Sequence, residues 1–267
     1  MSGVAARVGR NTLALFLAKA SVMLLTFLFF IAVARYLGVA GLGSFALLRG
    51  YFDLLLSLSS SALMTVLIRE VAKRPRLTGR FTASAATLAL VLSGIGGILL
   101  LLLVRMLEYG PQTQLSALLV AAALVPAGLA VILESLFLAY EKAQFVAYVT
   151  VGESLLRTVA NFALLFAGYG ITALFLVLLV SRLAMLGCYA ALLGRATGRL
   201  RLAFSGPFTR RFARDWRVFA AENWATDLFW GLDIILLSAL AGEAAVGIYS
   251  AAYRIINPLW VITVSYT

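Results

Sequence analysis

Histidine is absent from this chain of 267 residues, and cysteine occurs once. No histidine-based catalytic triad, metal site or proton relay can therefore be built. A lone Cys188 rules out a disulfide within the chain. In its apolar setting it reads as a small packing residue. Charge is scarce as well: 12% of residues are charged and 11 are acidic, against about 25% charged in an ordinary soluble domain. No GxxxxGK[ST] phosphate loop occurs, which excludes ATP hydrolysis by that route. The Gly94-Ile95-Gly96-Gly97 cluster lacks the strand that a nucleotide loop follows, and reads as a close helix contact or a kink.

What remains is apolar. Hydrophobic residues make up 63% of the chain and the mean hydropathy is +1.01. A folded soluble chain needs a polar exterior that this composition cannot supply, so lipid must solvate much of the surface. A bilayer core of about 30 Å takes roughly 20 apolar helical residues to cross. Eight such runs are legible, at 11–34, 43–68, 81–104, 114–138, 145–167, 172–193, 218–240 and 246–267. None alternates like a barrel strand, so the expected fold is an all-α polytopic bundle. Arg7 and Arg10 before an apolar stretch that ends in Ala32-Val33-Ala34 mimic a secretory leader. That stretch is too long for a leader core and more spans follow, so it reads as a retained first span.

The net charge of +11 resembles a nucleic-acid footprint until the charges are placed. Fifteen of the 22 lysines and arginines fall on the N-terminus and the even-numbered loops, and the odd loops hold only Arg35 and Arg105. This positive-inside pattern puts the N-terminus in the cytoplasm. It needs no nucleic acid as partner, and it sets the basic loops against anionic membrane lipids. The odd loops are short and carry no outer domain.

The chain also repeats itself. LGVAGLGSFALLRGY at 37–51 aligns with AGEAAVGIYSAAYRI at 241–255 at a constant offset of 204 residues, pairing Gly38 with Gly242 and Gly43 with Gly247. Six spans per unit restore the same orientation, which makes the halves parallel repeats. The expected organisation is a six-helix lobe at 1–193, a basic cytoplasmic linker at 194–217, and the first two helices of a second, truncated lobe at 218–267. On this reading the sequence is a piece of a longer protein. Ser205-Gly206-Pro207 is a helix start signal, and Phe208, Phe212 and Trp216 recur every fourth residue among arginines, as in an interfacial anchor helix.

Ionisable residues inside spans are costly and point to function by default. The cations are Lys19, Arg49, Arg157, Arg182 and Arg254; the acids are Asp53, Glu134, Glu153, Glu222, Asp227 and Asp233. Arg49/Asp53 and Glu153/Arg157 stand at i,i+4 and can neutralise each other along one helix face. Glu134 and Glu222 lie near cytoplasmic span ends, within snorkelling reach. Arg157, Arg182, Asp53 and Asp227 fall near the midplane and must face water or one another. Asn223, Asp227 and Trp230 share a stripe of the seventh span. Arginines lining a cavity suit an anion, because the guanidinium fork matches paired phosphate oxygens.

Three segments carry a family resemblance. ARYLGVAGLGSFALL at 34–48, Ile68-Arg69-Glu70-Val71-Ala72, and AAVGIYSAAYRIINPL at 244–259 resemble signatures of the O-antigen and exopolysaccharide flippases. These form a branch of the multidrug/oligosaccharidyl-lipid/polysaccharide exporter superfamily. The resemblance implies two six-helix bundles with alternating access, moving an anionic undecaprenyl-diphosphate-linked oligosaccharide across the bacterial plasma (inner) membrane. It implies no enzyme activity and no cofactor, with a proton or sodium ion as coupling ion and other polysaccharide-assembly proteins as partners. Lys19, Arg49, Arg157, Arg182 and Arg254 become candidates for the diphosphate and sugar path. Asp53, Asp227, Asp233 and Glu153 become candidates for coupling or gating. Members have twelve or more spans, and eight are present here.

Two alternatives stay open. A drug or cation exporter of the same superfamily would favour an acidic, aromatic pocket. A membrane polymerase or ligase of the same pathway would carry a large outer loop. A major-facilitator transporter is disfavoured, because REVAKRPRLTGR lacks the Gly and Asp of that group's loop signature.

Overall fold

A computed structural model describes residues 2–197 and 203–264, with side chains described from 28 to 195, 203 to 229 and 231 to 253. Within these residues the chain is helical and has no strand. The helices are α1 (Ser2–Lys73), α2 (Thr78–Met106), α3 (Pro111–Ala139), α4 (Ala143–Phe166), α5 (Ile171–Thr197) and α6 (Gly206–Val264). A short 3-10 turn at Pro75–Leu77 joins the first two. Six described segments are long and apolar enough to cross a membrane. The first two expected spans both lie in α1 and the last two both lie in α6.

Each of these long helices is broken once, by glycine. Gly38 in α1 has φ 73° and ψ −177°, and Gly242 in α6 has φ 79° and ψ 176°. This backbone region is essentially closed to residues with a Cβ. The two glycines are repeat partners, so the sequence repeat is also a repeat of backbone torsions. The break divides each long helix into two arms without an intervening loop.

The repeat segments also pack against each other. A Cβ on Gly43 would collide with the Glu243 carbonyl, and one on Gly247 would lie 2.5 Å from the Val39 carbonyl oxygen. Val39 and Glu243 are repeat partners as well, so the contact is reciprocal: i meets j and j meets i, as at a two-fold interface. Small residues let the two backbones approach where lipid provides no hydrophobic drive between helices. Ser44 Oγ donates to Glu243 Oε2 at 2.7 Å beside this joint. Tyr109 and Ser238 share a hydrogen bond that ties α6 to the loop before α3.

Close packing also explains the α2 glycines. Gly96 faces Leu55 and Gly97 faces Ala121, each 3.4 Å from where a Cβ would sit, whereas Gly94 looks into open space. They serve contact; α2 carries no break there. Cys188 departs from expectation: it is exposed, on the wall of a groove between α4 and α5, instead of packed.

The arm of α6 before the seventh span differs from the expected linker and anchor. It is helical from Gly206 onward and continuous with that span. Phe212 and Trp216 are buried in the same core cluster as Phe81, Tyr189 and Phe137. Phe81 meets the rings of Phe208 and Phe212 at 5.0 and 6.0 Å. The every-fourth-residue aromatic face thus docks on the first lobe, because helical packing buries it better than headgroups would. Arg210, Arg214 and Arg217 point the other way, around an open groove.

Candidate functional site

The second span presents a polar residue at every fourth position: Arg49, Asp53, Ser57, Ser61, Thr65, Arg69 and Lys73. Each step of four residues turns the helix by 40° beyond a full revolution, so the stripe winds through roughly 240° along the span. Its members bond along the helix and outward. Arg49 Nε donates to Asp53 Oδ2 at 2.8 Å. Ser57 and Ser61 share a hydrogen bond of 2.8 Å, and Ser57 also donates to Asp227 Oδ2 at 2.6 Å. Trp224 Nε1, one turn earlier on α6, donates to the Leu58 carbonyl at 2.8 Å. Sequence reasoning named the two ends of this stripe and missed the serines. The i,i+4 spacing of Ser57 and Ser61 behind Asp53 was the available signal.

Winding brings Arg49 toward the other lobe helices. Glu153 on α4 is 7% exposed and holds Arg157 Nε at 2.9 Å and Arg182 Nη2 at 3.9 Å. Ser181 Oγ, one residue before Arg182, donates to the Leu178 carbonyl at 2.9 Å. Arg49 and Arg182 both lie 5.7 Å from the Phe52 ring centre, so one aromatic ring carries two guanidiniums. Such cation–π contacts favour desolvated cations. Electrostatic interaction links Arg182 to Arg49, Arg157 and Asp53, and Glu134 to Arg182. Glu134 makes no ion pair within 4 Å among the described residues but lies within electrostatic range of Arg182. Glu222, by contrast, is exposed.

The cluster is charge-balanced, with Arg49, Arg157 and Arg182 against Asp53, Glu134 and Glu153. Arg49/Asp53 and Glu153/Arg157 form the i,i+4 ion pairs that their spacing allows, and Arg182 joins the second of them. A surplus of buried charge of one sign is strongly penalised in low dielectric. The balance is nevertheless imperfect at Arg182. Its Nη1 finds the weak acceptor Met185 Sδ at 3.3 Å, and its buried Nε has no hydrogen-bond partner.

The remaining candidates lie elsewhere. Asp227 pairs with Ser57, away from the arginines. Asp233 accepts from Tyr249 Oη at 2.6 Å, within α6. Asn223 donates to the Phe219 carbonyl of its own helix. The side chains of Lys19, Arg254 and Trp230 lie outside the described residues. Among the described residues no group of histidine, cysteine, aspartate or glutamate could hold a metal.

These features define a multi-pass helical membrane protein with two repeat-related segments packed against each other and a group of ion pairs between its helices. A solved multidrug resistance MATE family transporter of the MOP superfamily, in an inward-facing conformation, has a similar fold, with a TM-score of 0.65 and 18% sequence identity. The match covers 88% of this chain, which spans 57% of that transporter. None of the curated proteins compared with the chain matches it significantly. Residues 8–267 match the family model described as "Polysaccharide biosynthesis protein". The chain belongs to that polysaccharide biosynthesis protein family.

Proposed function

We propose that this protein flips undecaprenyl-diphosphate-linked oligosaccharide from the cytoplasmic to the outer leaflet of the bacterial plasma (inner) membrane, by alternating access, in surface polysaccharide assembly such as that of O-antigen. The observation that carries the reading is Arg182, largely buried within an apolar helix and with an unspent Nε donor. A guanidinium so placed can donate to a phosphate oxygen, and Arg49 and Arg157 stand in the same cluster. Lys19 and Arg254 complete the proposed path. Family membership supports polysaccharide assembly as the setting, and the fold supports transport over catalysis.

Loading then becomes an exchange. A diphosphate that takes Arg182 or Arg49 competes with Glu153 or Asp53 for the same donors. The freed carboxylate is left in low dielectric, where it favours a proton or a sodium ion. Substrate and coupling ion thus enter through one set of ion pairs, with Asp227 and Asp233 as candidates for gating. Assembly partners and membrane lipids would meet the protein at its basic cytoplasmic surface.

The test is complementation of a strain lacking the gene. Arg49→Gln, Arg157→Gln and Arg182→Gln should each abolish surface polysaccharide while the protein still reaches the membrane. Normal polysaccharide from all three would overturn the reading. The drug or cation exporter stays as a second reading because the cluster holds as many carboxylates as arginines. It requires extrusion of a cationic dye that fails in Glu153→Gln.

A further inference from the structure

The cytoplasmic end of the polar stripe opens into a second, separate pocket. It lies between the last turns of α1, the start of α2 and the docked arm of α6, and encloses about 220 Å³. Arg69 and Glu70 line it from α1, Arg74 from the residue that follows α1, and Arg211 and Asp215 from α6. Aromatic side chains, Phe81 and Phe208 among them, form the apolar part of the wall.

The charges of this pocket are only partly spent on each other. Glu70 is taken by Arg69, at 3.0 Å from Nη2 and 3.1 Å from Nε. Arg69 is also stacked on Phe219, 4.9 Å from the ring centre, which fixes its plane. Among the described residues Arg74 and Arg211 make no ion pair, although Asp215 lines the same pocket. Two free guanidinium forks and a third held in orientation face a small space with an apolar wall. At about 30 Å³ per water the space equals roughly seven waters, enough for a diphosphate. Arginine forks match phosphate oxygens in pairs, and the aromatic wall suits the first carbons of an attached chain.

We propose that this pocket is the cytoplasmic receiving site for the diphosphate headgroup of the lipid carrier, occupied before the headgroup reaches the central cluster. The inference rests on the flippase reading above. Arg69, Thr65, Ser61 and Ser57 recur every fourth residue of span two between the pocket and Asp53 and Arg49, on a stripe that winds round the helix.

The experiment is photo-crosslinking of the full chain in phosphatidylcholine nanodiscs, with a sugar-free polyprenyl diphosphate bearing a photoreactive first isoprene. Label is expected on residues 66–81 and 205–215. It should fall about a hundred-fold in Arg74→Gln with Arg211→Gln, at roughly ten-fold for each guanidinium removed. Inorganic pyrophosphate should compete for the site and equimolar phosphatidylglycerol should not. Unchanged label in the double variant overturns the proposal, as does equal competition by phosphatidylglycerol, which would make the pocket a general lipid site. If the glutamine pair fails to fold, Arg74→Lys with Arg211→Lys keeps the charge and loses the fork. Label must then fall several-fold, and parental labelling again overturns the site. Failure of the flippase reading is separate: it appears as normal polysaccharide from all three variants of the central arginines, whatever this pocket binds.

Discussion

Replacing Glu153 by glutamine would remove one charge and little volume from the centre of the buried cluster. The carboxylate is 7% exposed and serves two arginines, at 2.9 and 3.9 Å. At an effective dielectric of about 20, opposite unit charges about 4 Å apart attract by about 4 kcal/mol. Desolvation of the ions offsets much of that attraction in the intact cluster. In the variant the desolvation cost remains and the attraction is gone, because Arg157 and Arg182 stay buried and now repel. Deleting one partner of a buried pair costs about 3–5 kcal/mol. At about 2–4 °C per kcal/mol for a chain of this size, the unfolding temperature should drop by about 6–20 °C. Fluorescence-detected unfolding at one scan rate in one detergent measures this, since such unfolding is commonly irreversible. Adding Arg157→Gln to Glu153→Gln removes one of the two stranded cations. The double variant should then be more stable than the summed single effects predict, by about 1–3 kcal/mol. A Glu153→Gln protein within about 2 °C of the parent, the low end of the shift for a single kcal/mol, would refute the picture of a mutually dependent cluster. Strict additivity in the double variant would refute it too.

Further outcomes follow from the packing. Gly38→Ala and Gly242→Ala should each cost about 1–3 kcal/mol through backbone strain alone, read as matched drops in unfolding temperature, because open space surrounds both positions. Gly43→Ala should cost more and disturb the joint between the repeats, whereas Gly94→Ala should be neutral or stabilising by up to about 1 kcal/mol. Trp216→Ala should cost about 3–5 kcal/mol as a core truncation, although its sequence setting suggests a surface anchor. A cysteine at position 214, with Cys188 replaced, should react with an impermeant thiol reagent only from the cytoplasmic side.

The helical segments were legible because span length and charge placement are one-dimensional quantities: a bilayer imposes the first and the positive-inside pattern records the second. The glycine breaks were legible only as a repeat. Gly38 and Gly242 carry no hydropathy signal, and their shared torsions depend on a missing Cβ. The α6 arm misled for a physical reason. Aromatics every fourth residue among arginines suit an interfacial helix and a docked one equally, and only the partner surface around Phe81 decides between them. Within the site, Arg49/Asp53 and Glu153/Arg157 were visible as i,i+4 pairs on single helices. Their joining through Arg182 and Phe52 depends on the packing of α1, α4 and α5, which periodicity does not encode. Ser57 and Ser61 went unnoticed because hydroxyl groups are cheap in a membrane helix and draw attention only once Asp227 is seen to accept from one of them.

Net charge illustrates the same limit from another side. The surplus of +11 sits largely on the connections between spans and the α6 arm, where water and headgroups can screen it. Inside the membrane the cluster must come close to neutrality, since each uncompensated charge there costs several kcal/mol. Composition therefore reports the orientation of this protein and says almost nothing about its buried chemistry. The balance also constrains transport on the proposed reading. A diphosphate entering a cluster of three arginines and three carboxylates makes it strongly negative unless a cation enters or a carboxylate is protonated. Within this cluster, uptake of a proton or sodium ion is then favoured by electroneutrality in low dielectric, alongside any compensation from Lys19 and Arg254 on the proposed path. It follows that Glu153→Gln, which lowers the negative charge before loading, should weaken the dependence of substrate binding on the coupling ion even where it lowers stability. Binding of the lipid-linked substrate to that variant, measured across a range of pH and sodium concentration, checks this. An ion dependence as steep as the parent's would remove Glu153 from the coupling role and leave Asp53 as the carboxylate to examine.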